Sequence, residues 1–277
     1  MAKRAARVPQ VETRARVVDF HNHVIPGVDD GARDGEESRA ALTAMYSSGV
    51  KSLIATPHVD ASICRRPERR EVRMAELDLG WDMLTKLGAA EFPGITLNRG
   101  AEVKLDVPEP DLSDARLRLA GGPFALVEFS YFTIPPRSTR VLAHLRQSNW
   151  IPVVAHPERY TGIEQDSQIV PAWKAAGAYL QVNGPSLMGR YGSEARLAAI
   201  QMLENGWADF ISSDYHARGR TAILGYRDLL IEMGAEVQAE LLMWINPMRM
   251  LNGEPPLPVP PVQSKRGLWD RISAAFR

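Results

Sequence analysis

The sequence predicts an α/β fold in which parallel strands alternate with helices and close into a barrel. Seven short β-type runs recur along the chain, namely RVVDFHNHV, KSLIATPHV, ITLNRGAEV, FALVEFS, IPVVAHPERY, AYLQVNG and ADFISSDYH. Segments with a helical pattern separate them, as in βαβ units. An open doubly wound sheet is the alternative, and the absence of a glycine-rich nucleotide loop after the first run disfavours it. A barrel is therefore the preferred fold.

The first helix is predicted from DGEESRAALTAMYSSG, between the first two runs. Asp34 can cap its start, Leu42, Met45 and Tyr46 recur at helical spacing, and Gly49 ends it. Similar patterns predict helices at about 67–88, 138–149, 166–176, 193–205, 222–233 and 235–245. In a barrel of this type the chemistry lies at the carboxyl ends of the strands, so polar residues there are the candidate functional residues.

Composition divides the chain into four segments. Residues 1–16 form a basic leader that we expect to be flexible, 17–252 a barrel, 253–263 a proline-rich linker and 264–277 a basic amphipathic tail. The compact domain is expected to end near Gly253. The tail carries Trp269 on an apolar face, and contact with an anionic membrane, a partner or the domain itself all stay open.

The overall charge and the single cysteine indicate a cellular setting. The chain has 33 basic and 33 acidic residues, so no whole-protein field attracts nucleic acid. Cys64 cannot form an internal disulfide, and the leader lacks the apolar core of a secretion signal. No apolar stretch reaches the ~20 residues that a membrane helix needs. We therefore expect a cytoplasmic protein, with membrane contact and oligomerisation left open.

Histidines concentrate at the ends of the predicted strands. Five of the six fall there: His21, His23, His58, His156 and His216. The sixth, His144, lies within a helical pattern and is interpreted as an ordinary surface or packing residue. Alternate residues of a strand share a face, so His21 and His23 are expected to point the same way, with Asp19 beside them, as are Asp214 and His216.

Carboxylates accompany these imidazoles. Asp30, Glu102, Glu128 and Asp214 lie at or just after the same strand ends. Glu128 falls inside the apolar run FALVEFS, where burial requires a cation; a bound metal or a salt bridge to an arginine would supply one. Nine imidazole and carboxylate ligands without thiolate exceed what one ion coordinates, so two or three ions of manganese, iron or zinc are predicted.

These motifs together resemble a known family. DFHNHVIPGVDDGA, GVKSLIATPH, GAEV, LVEF, AHPERY, QVNGPSLMGRYG and SDYH look like the bacterial PHP-superfamily protein-tyrosine phosphatases of capsule and exopolysaccharide loci, the CpsB type. The likeness extends from about Val17 to INPMRMLNG, and the basic, Trp-containing end is also similar to the family's tails. The resemblance implies a distorted (β/α)7 barrel of the PHP type, related to TIM-barrel metal-dependent hydrolases.

The resemblance also implies a ligand set and an activity. One ion, usually Mn²⁺, would be held by His21, His23, Glu102 and Asp214, a second by Glu102, Glu128 and His156, and a third by Asp30, His58 and His216. Arg159 would bind the substrate phosphate, helped by Arg218 or Arg220, with Asp30 and His58 also catalytic. The implied reaction is metal-dependent hydrolysis of phosphotyrosine by activated water, on the polysaccharide-export autokinase beside the membrane.

Departures from the family pattern lie at the rim of the implied pocket. PHVD stands where members often have PHH, and SDYHARGRT where they have SDAHN with a spaced Arg-Pro. The ligands survive both changes, whereas Tyr215 and the arginines after it could alter which phosphoester fits.

Three rival functions are weighed against this one. CRRPERR, Cys64 to Arg70, matches the C-x5-R signature of cysteine-dependent phosphatases, but it has no glycine and Pro67 has no N–H to offer a phosphate. A phosphoesterase for a small molecule such as histidinol phosphate would use the same metals. A non-catalytic binding module is disfavoured because every implied ligand is retained.

Overall fold

A computed structural model describes residues 16–163, 168–218 and 223–263 of the chain. The leader up to residue 15, Arg220 and the tail 264–277 lie outside the described residues, so the predictions for them are not addressed by the structure. Within the described ranges, no helix combines the length and the apolar composition that a bilayer crossing requires.

Seven parallel strand segments, called staves below, form the centre of the molecule. In chain order the strands are β1 (Val17–Asp19), β2 (Val50–Ala55), β3 (His58–Asp60), β4 (Thr96–Arg99), β5 (Glu102–Lys104), β6 (Phe124–Glu128), β7 (Ile151–Ala155), β8 (Tyr179–Asn183) and β9 (Phe210–Ser212). β2 and β3 are one stave interrupted at Thr56 and Pro57, and β4 and β5 are one stave interrupted at Gly100 and Ala101. The staves coincide with the seven predicted runs.

The staves close into a barrel. Hydrogen bonding gives the orders β1-β2-β4 and β3-β5-β6-β7-β8-β9, with every pair parallel. Just beyond β1 and β9, Asn22 and Tyr215 form a parallel bridge, and the Asp214 N–H donates to the His21 carbonyl at 2.8 Å. The α/β barrel prediction is confirmed, and the open-sheet alternative is wrong for this chain.

Helices surround the barrel. They are α1 (Gly35–Ser47), α2 (Ala61–Cys64), α3 (Pro67–Glu91), α4 (Ser138–Gln147), α5 (Ile169–Ala175), α6 (Gly184–Leu187), α7 (Ser193–Glu204), α8 (Ile223–Glu232), α9 (Glu236–Glu240) and α10 (Asn246–Leu251), the last two joined by a π-helical turn, Leu241–Ile245. Asp34 caps α1 as predicted, since its side chain accepts from the Glu37 N–H at 3.0 Å. Each predicted helix overlaps one of these, whereas the single-turn helices α2 and α6 were not predicted.

Alternation along the staves separates an inner from an outer core. Phe20, Ile54, Phe124, Leu126 and Phe210 are fully buried in one cluster. Their neighbours along the strands, such as Ala125 and Val127, belong to a larger cluster packed under the helices. Glu128 continues the inner row of Phe124 and Leu126, so its carboxylate points to the carboxyl end of the barrel interior.

The proline-rich segment differs from its predicted role as a linker. Pro256, Val259 and Val262 are buried while the residues between them are exposed, a period of three that matches polyproline II geometry. The Val262 N–H donates to the Leu203 carbonyl at 2.9 Å, and the Leu257 N–H donates to Asn246 Oδ1 at 2.8 Å. The compact body therefore continues past Gly253, because the segment's apolar edge packs on the barrel.

Candidate metal centre

The nine predicted ligands lie together at the carboxyl ends of the strands. His58 and Glu102 begin β3 and β5, and Glu128 ends β6. The others lie in the loops that leave β1, β7 and β9. The cluster comprises His21, His23, Asp30, His58, Glu102, Glu128, His156, Asp214 and His216. By contrast, His144 lies on α4, away from the strand ends.

The first group of atoms has the spacing of ligands to one ion. His21 Nε2 lies 3.2 Å from Glu102 Oε2 and 3.3 Å from Asp214 Oδ1, and His23 Nε2 lies 3.4 and 3.3 Å from the same oxygens. Two ligands that share an ion at about 2.1 Å are about 3.0 to 3.4 Å apart. Both imidazole nitrogens and Glu102 Oε2 are buried without a hydrogen-bond partner. A cation between them would satisfy all of these atoms.

The second group is built on Glu102 and Glu128. His156 Nε2 lies 2.9 Å from Glu102 Oε1 and 3.9 Å from Glu128 Oε2. His58 Nδ1 lies 3.1 Å from Glu102 Oε2 and 3.6 Å from Glu128 Oε1. The geometry thus offers two imidazoles to this group, whereas the resemblance implied only His156.

The third group lies at the open rim of the cluster. Asp30 Oδ1 is 3.4 Å from His58 Nε2 and 3.4 Å from His216 Nε2. His216 Nδ1 is 2.9 Å from the Asp214 carbonyl, so it carries the proton and leaves Nε2 as a ligand atom. A neutral imidazole has one lone pair, so His58 serves either this group or the second. His58 Nδ1 faces the second group and His58 Nε2 faces the third, so this side chain lies between the two.

Hydrogen bonds orient two of the buried histidines, His21 and His23. Gln181 Oε1 lies 2.7 Å from His21 Nδ1, and Asp29 Oδ2 lies 2.9 Å from His23 Nδ1. Each acceptor holds the proton on Nδ1 and leaves Nε2 deprotonated, as a metal ligand must be. Asp29 also accepts from the Gly31 and His58 N–H groups, and so ties the β1–α1 loop to β3.

The electrostatics of the centre favour added positive charge. Burial alone would raise the pKa of Glu102, but the charge of His21 and hydrogen bonds from neighbouring histidines hold that pKa well below its usual range. Burial and the adjacent Glu102 charge raise the pKa of Glu128 to about 7. Among the described residues, no arginine pairs with Glu128. Its ion-pair neighbours are the imidazoles of His58 and His156, so the alternative of a salt bridge to an arginine fails.

The backbone is strained at two ligand positions. His156 and Asp214 have φ values of 35° and 50°, in the left-handed region that residues other than glycine rarely adopt. His156 follows β7 directly, and Asp214 is two residues beyond β9. A serine-rich network holds the second position: buried Asp19 accepts from the Ser213 N–H at 3.0 Å and from the Ser213 hydroxyl at 2.6 Å. Asp19 therefore supports the seam between β1 and β9 and is not one of the clustered ligands.

A cavity of about 300 Å³ opens beside the centre. Asp214 and His216 line one side, and Arg159 reaches Asp214 Oδ2 with Nη1 at 2.8 Å. The Arg159 guanidinium lies between two aromatic rings, 4.4 Å from the centroid of Phe132 and 4.1 Å from that of Tyr191. Arg218 also lines the cavity and donates to the Gly31 carbonyl at 3.4 Å.

Cys64 has none of the features of a nucleophile. It ends α2, is buried, and its thiol faces the Asp60 carbonyl at 3.7 Å. Burial and nearby Asp111 raise its pKa to about 11, whereas catalytic cysteines have lowered values.

Sequence reasoning missed the residues that act through hydrogen bonds. Asp29 and Gln181 orient histidines, and Asn183 Nδ2 donates to Asp214 Oδ2 at 2.8 Å. The only signals were the paired aspartates of VDDGA and the polar alternation in QVNG. Neither identifies a partner: Gln181 and Asn183 contact residues that follow other staves, and the Asp29–His23 contact depends on how the β1–α1 loop folds back.

Fold and site together define a class: a TIM-barrel-like α/β protein with a candidate multi-metal centre at the carboxyl ends of its strands. A family profile described as "Capsular polysaccharide synthesis, CpsB/CapC" matches residues 17–252. The chain belongs to this family.

Named relatives and a solved structure agree with that assignment. The tyrosine-protein phosphatase YwqE of Bacillus subtilis is 28% identical over 201 residues, covering 72% of this chain and 77% of the relative. The tyrosine-protein phosphatase CpsB of Streptococcus pneumoniae is 29% identical over 212 residues, covering 72% and 83%. A structure from work on YwqE and CpsB, described as unique metal-dependent tyrosine phosphatases, superimposes with a TM-score of 0.73 at 27% identity, over 90% of this chain and all of that one.

Proposed function

We propose that this protein is a metal-dependent protein-tyrosine phosphatase. The observation that carries the proposal is the convergence of nine ligand side chains into overlapping groups beside a cavity that Arg159 lines. Buried ligand atoms without hydrogen-bond partners support a metal, and an arginine at the same cavity supports a phosphoester substrate. Relatives named as tyrosine phosphatases support the substrate class.

The proposed cofactor is Mn²⁺, two or three ions per chain, with iron or zinc as alternatives. His21, His23, Glu102 and Asp214 would hold the first ion, Glu102, Glu128 and His156 the second, and Asp30, His58 and His216 the third. Bound ions of this kind acidify water and neutralise charge on phosphoryl oxygens. Oxygen and imidazole donors without thiolate suit all three metals.

Arg159 is proposed to bind and orient the phosphate. Its planar guanidinium can meet two phosphate oxygens at once, and the rings of Phe132 and Tyr191 keep it flat at the cavity wall. Asp30 and His58 are the proposed catalytic residues at the rim, where their side chains are 66% and 35% exposed and accessible to a substrate. Arg218 is proposed to assist, and Arg220 enters the proposal on the sequence alone.

Phosphotyrosine is a phosphoester whose hydrolysis depends little on a general acid. Its leaving phenolate has a conjugate acid of pKa about 10, so departure needs less help from a general acid than departure of an alkoxide. Tyr191, Tyr215 and Tyr226 line the cavity and offer aromatic surface to the tyrosine ring of the substrate.

The proposed physiological substrate is a bacterial tyrosine autokinase of capsule or exopolysaccharide export. The family description supports the link to capsular polysaccharide synthesis, and the resemblance of the motifs supports the kinase. Action would take place in the cytoplasm beside the membrane, with the barrel of residues 17–252 as the catalytic unit and the tail 264–277 available for membrane or kinase contact.

Substrate comparison tests the proposal. We expect the purified, Mn²⁺-loaded chain to hydrolyse a phosphotyrosine peptide faster than small alkyl phosphates, and chelation to abolish turnover until Mn²⁺ is restored. Glu102→Gln should lower turnover by at least about 100-fold because one oxygen of the bridging carboxylate becomes an amide nitrogen. Glu232→Gln, on an exposed residue of α8, is the matched control. A clear preference for alkyl phosphates would instead indicate a small-molecule phosphoesterase.

A further inference from the structure

The cavity beside the metal centre extends beyond the residues that the proposed reaction uses. Asp214 and His216 line its inner side, whereas Arg190 and Tyr191 line another part of its wall. Arg190 and Tyr191 belong to the turn between α6 and α7, which supplies no ligand to the cluster. A substrate larger than the phosphate would meet this turn.

The turn is held in place next to Arg159. The Arg190 N–H donates to the Pro185 carbonyl at 3.0 Å, and the Gly192 N–H donates to the Gly189 carbonyl at 3.1 Å. Gly189 and Gly192 have φ values of 78° and 94°, which glycine adopts without strain. The ring of Tyr191 packs on the Arg159 guanidinium. Arg190 is therefore one residue from the side chain that packs on the proposed phosphate ligand.

Charge at this end of the cavity is not balanced. Arg159 has a carboxylate partner in Asp214, at 2.8 Å. Arg190 is exposed and makes no ion pair with any carboxylate of the described residues. Asp214 is the one carboxylate among the described residues that line the cavity, and it already faces Arg159 and the histidines. The wall at Arg190 is thus locally cationic on a chain whose formal net charge is zero.

We propose that Arg190 binds a second anionic group of the substrate, located on a residue next to the phosphotyrosine. This inference rests on the proposed function and narrows it to phosphotyrosine peptides with acidic neighbours. A guanidinium recognises a carboxylate or a phosphate through paired N–H donors, so aspartate, glutamate or a phosphorylated residue would fit. Arg190 then determines which peptides bind, while the metal centre and Arg159 act on the phosphotyrosine itself.

Peptides that differ at one position test this role. Each would carry phosphotyrosine with alanine, glutamate, phosphoserine or lysine at one position, either directly before or directly after it. For each peptide kcat/KM would be measured. The wild-type chain should prefer the glutamate or phosphoserine peptide to the alanine peptide by about two- to fivefold, as expected for an exposed charge pair. A larger gain with phosphoserine than with glutamate would identify phosphate as the preferred source of charge.

Variants of Arg190 give the decisive comparison. Arg190→Gln should bring the acidic-to-neutral ratio close to one, and Arg190→Glu should reverse it in favour of the lysine peptide. Arg146→Gln removes the same charge from an exposed position near the end of α4 and should leave ratio and turnover unchanged. Equal kcat/KM for all peptides, or an unchanged ratio in Arg190→Gln, would overturn the inference alone. Failure of the wild-type chain to hydrolyse any of the peptides would overturn the proposed function as well.

Discussion

Glu102 is the residue through which the groups of the centre are connected. Its Oε2 faces His21 and His23 at 3.2 and 3.4 Å, while its Oε1 faces His156 at 2.9 Å. A fully buried carboxylate with partners on both oxygens can bridge two cations. Its position as the first residue of β5, after the break at Gly100 and Ala101, turns it into the barrel interior.

Replacing Arg159 by lysine separates charge from shape. Lysine keeps the positive charge but loses the planar fork and the packing between Phe132 and Tyr191. We expect kcat/KM for a phosphotyrosine peptide to fall by about 10- to 100-fold, the value of one charge-assisted, two-point contact. Arg146→Lys provides the control. Activity of Arg159→Lys within twofold of wild type would show that only the charge matters.

Cys64 is the test of the rival cysteine mechanism. The thiol is buried and its pKa is raised to about 11, so it is protonated at neutral pH. Cys64→Ser should therefore keep phosphotyrosine turnover within about twofold, with at most a modest loss of stability from burying a hydroxyl. A loss greater than tenfold, with the fold intact by circular dichroism, would favour the cysteine mechanism instead.

The sequence predicted the role of a residue where that role depends on its place in a strand. His58, Glu102 and Glu128 follow or end apolar runs, and the carboxyl-end rule is enough to group them. Asp29 and Gln181 were missed because their role is a hydrogen bond to a histidine, 6 residues away across a folded loop and 160 residues away on another strand end. The spacing of residues along the chain does not predict such a contact.

The β1–α1 loop has no room for a larger side chain at Gly31. A Cβ on Gly31 would lie 2.0 Å from the His23 carbonyl oxygen and 2.4 Å from His23 Cβ. The same glycine donates its N–H to Asp29, the residue that orients His23. A methyl group here must displace the loop that carries Asp29 and Asp30.

Gly31→Ala should therefore weaken metal binding as well as the fold. We expect unfolding free energy to fall by about 1–3 kcal/mol, as for an overpacked site, and Mn²⁺ affinity to fall by about 10- to 100-fold because the orienting contacts shift. Titration calorimetry and thermal melts would measure both. Gly35→Ala is the control, because a Cβ there meets nothing within 4 Å. Wild-type affinity in Gly31→Ala would show that the loop adapts.

Elements with a clear period were predictable from the sequence, and interruptions were not. The seven staves and the helices from α1 to α8 with several turns follow from apolar patterns. The breaks between β2 and β3 and between β4 and β5 depend on bends at Thr56–Pro57 and Gly100–Ala101, and α2 and α6 contain four residues each. Such short segments are too brief to show periodicity. The packing of residues 254–263 depends on the surface that receives their three-residue period.

Ionisable side chains are concentrated at one end of the barrel, although the chain as a whole has no net formal charge. Formal charges balance overall, yet four carboxylates and five imidazoles meet at one end of the barrel. Assembling and burying these groups costs free energy that the neighbouring hydrogen bonds only partly offset. Burial lowers the pKa of His23, but the carboxylates of Asp214, Asp29 and Glu102 raise it well above its usual value. A bound ion would neutralise part of this negative charge.

Metal removal should consequently destabilise the entire barrel. The ligands come from β3, β5, β6 and the loops after β1, β7 and β9, so an ion that binds only the folded chain stabilises all of these elements together. Free metal at 100 times its dissociation constant adds about 2.7 kcal/mol per site, which for a chain of this size raises Tm by about 5–10 °C. Differential scanning calorimetry with chelator and then with Mn²⁺ would measure the shift. Glu102→Gln should show a smaller Mn²⁺-dependent shift than Glu232→Gln, since only the former loses a shared ligand. A Tm independent of metal in the wild-type chain would mean that the clustered groups do not bind an ion.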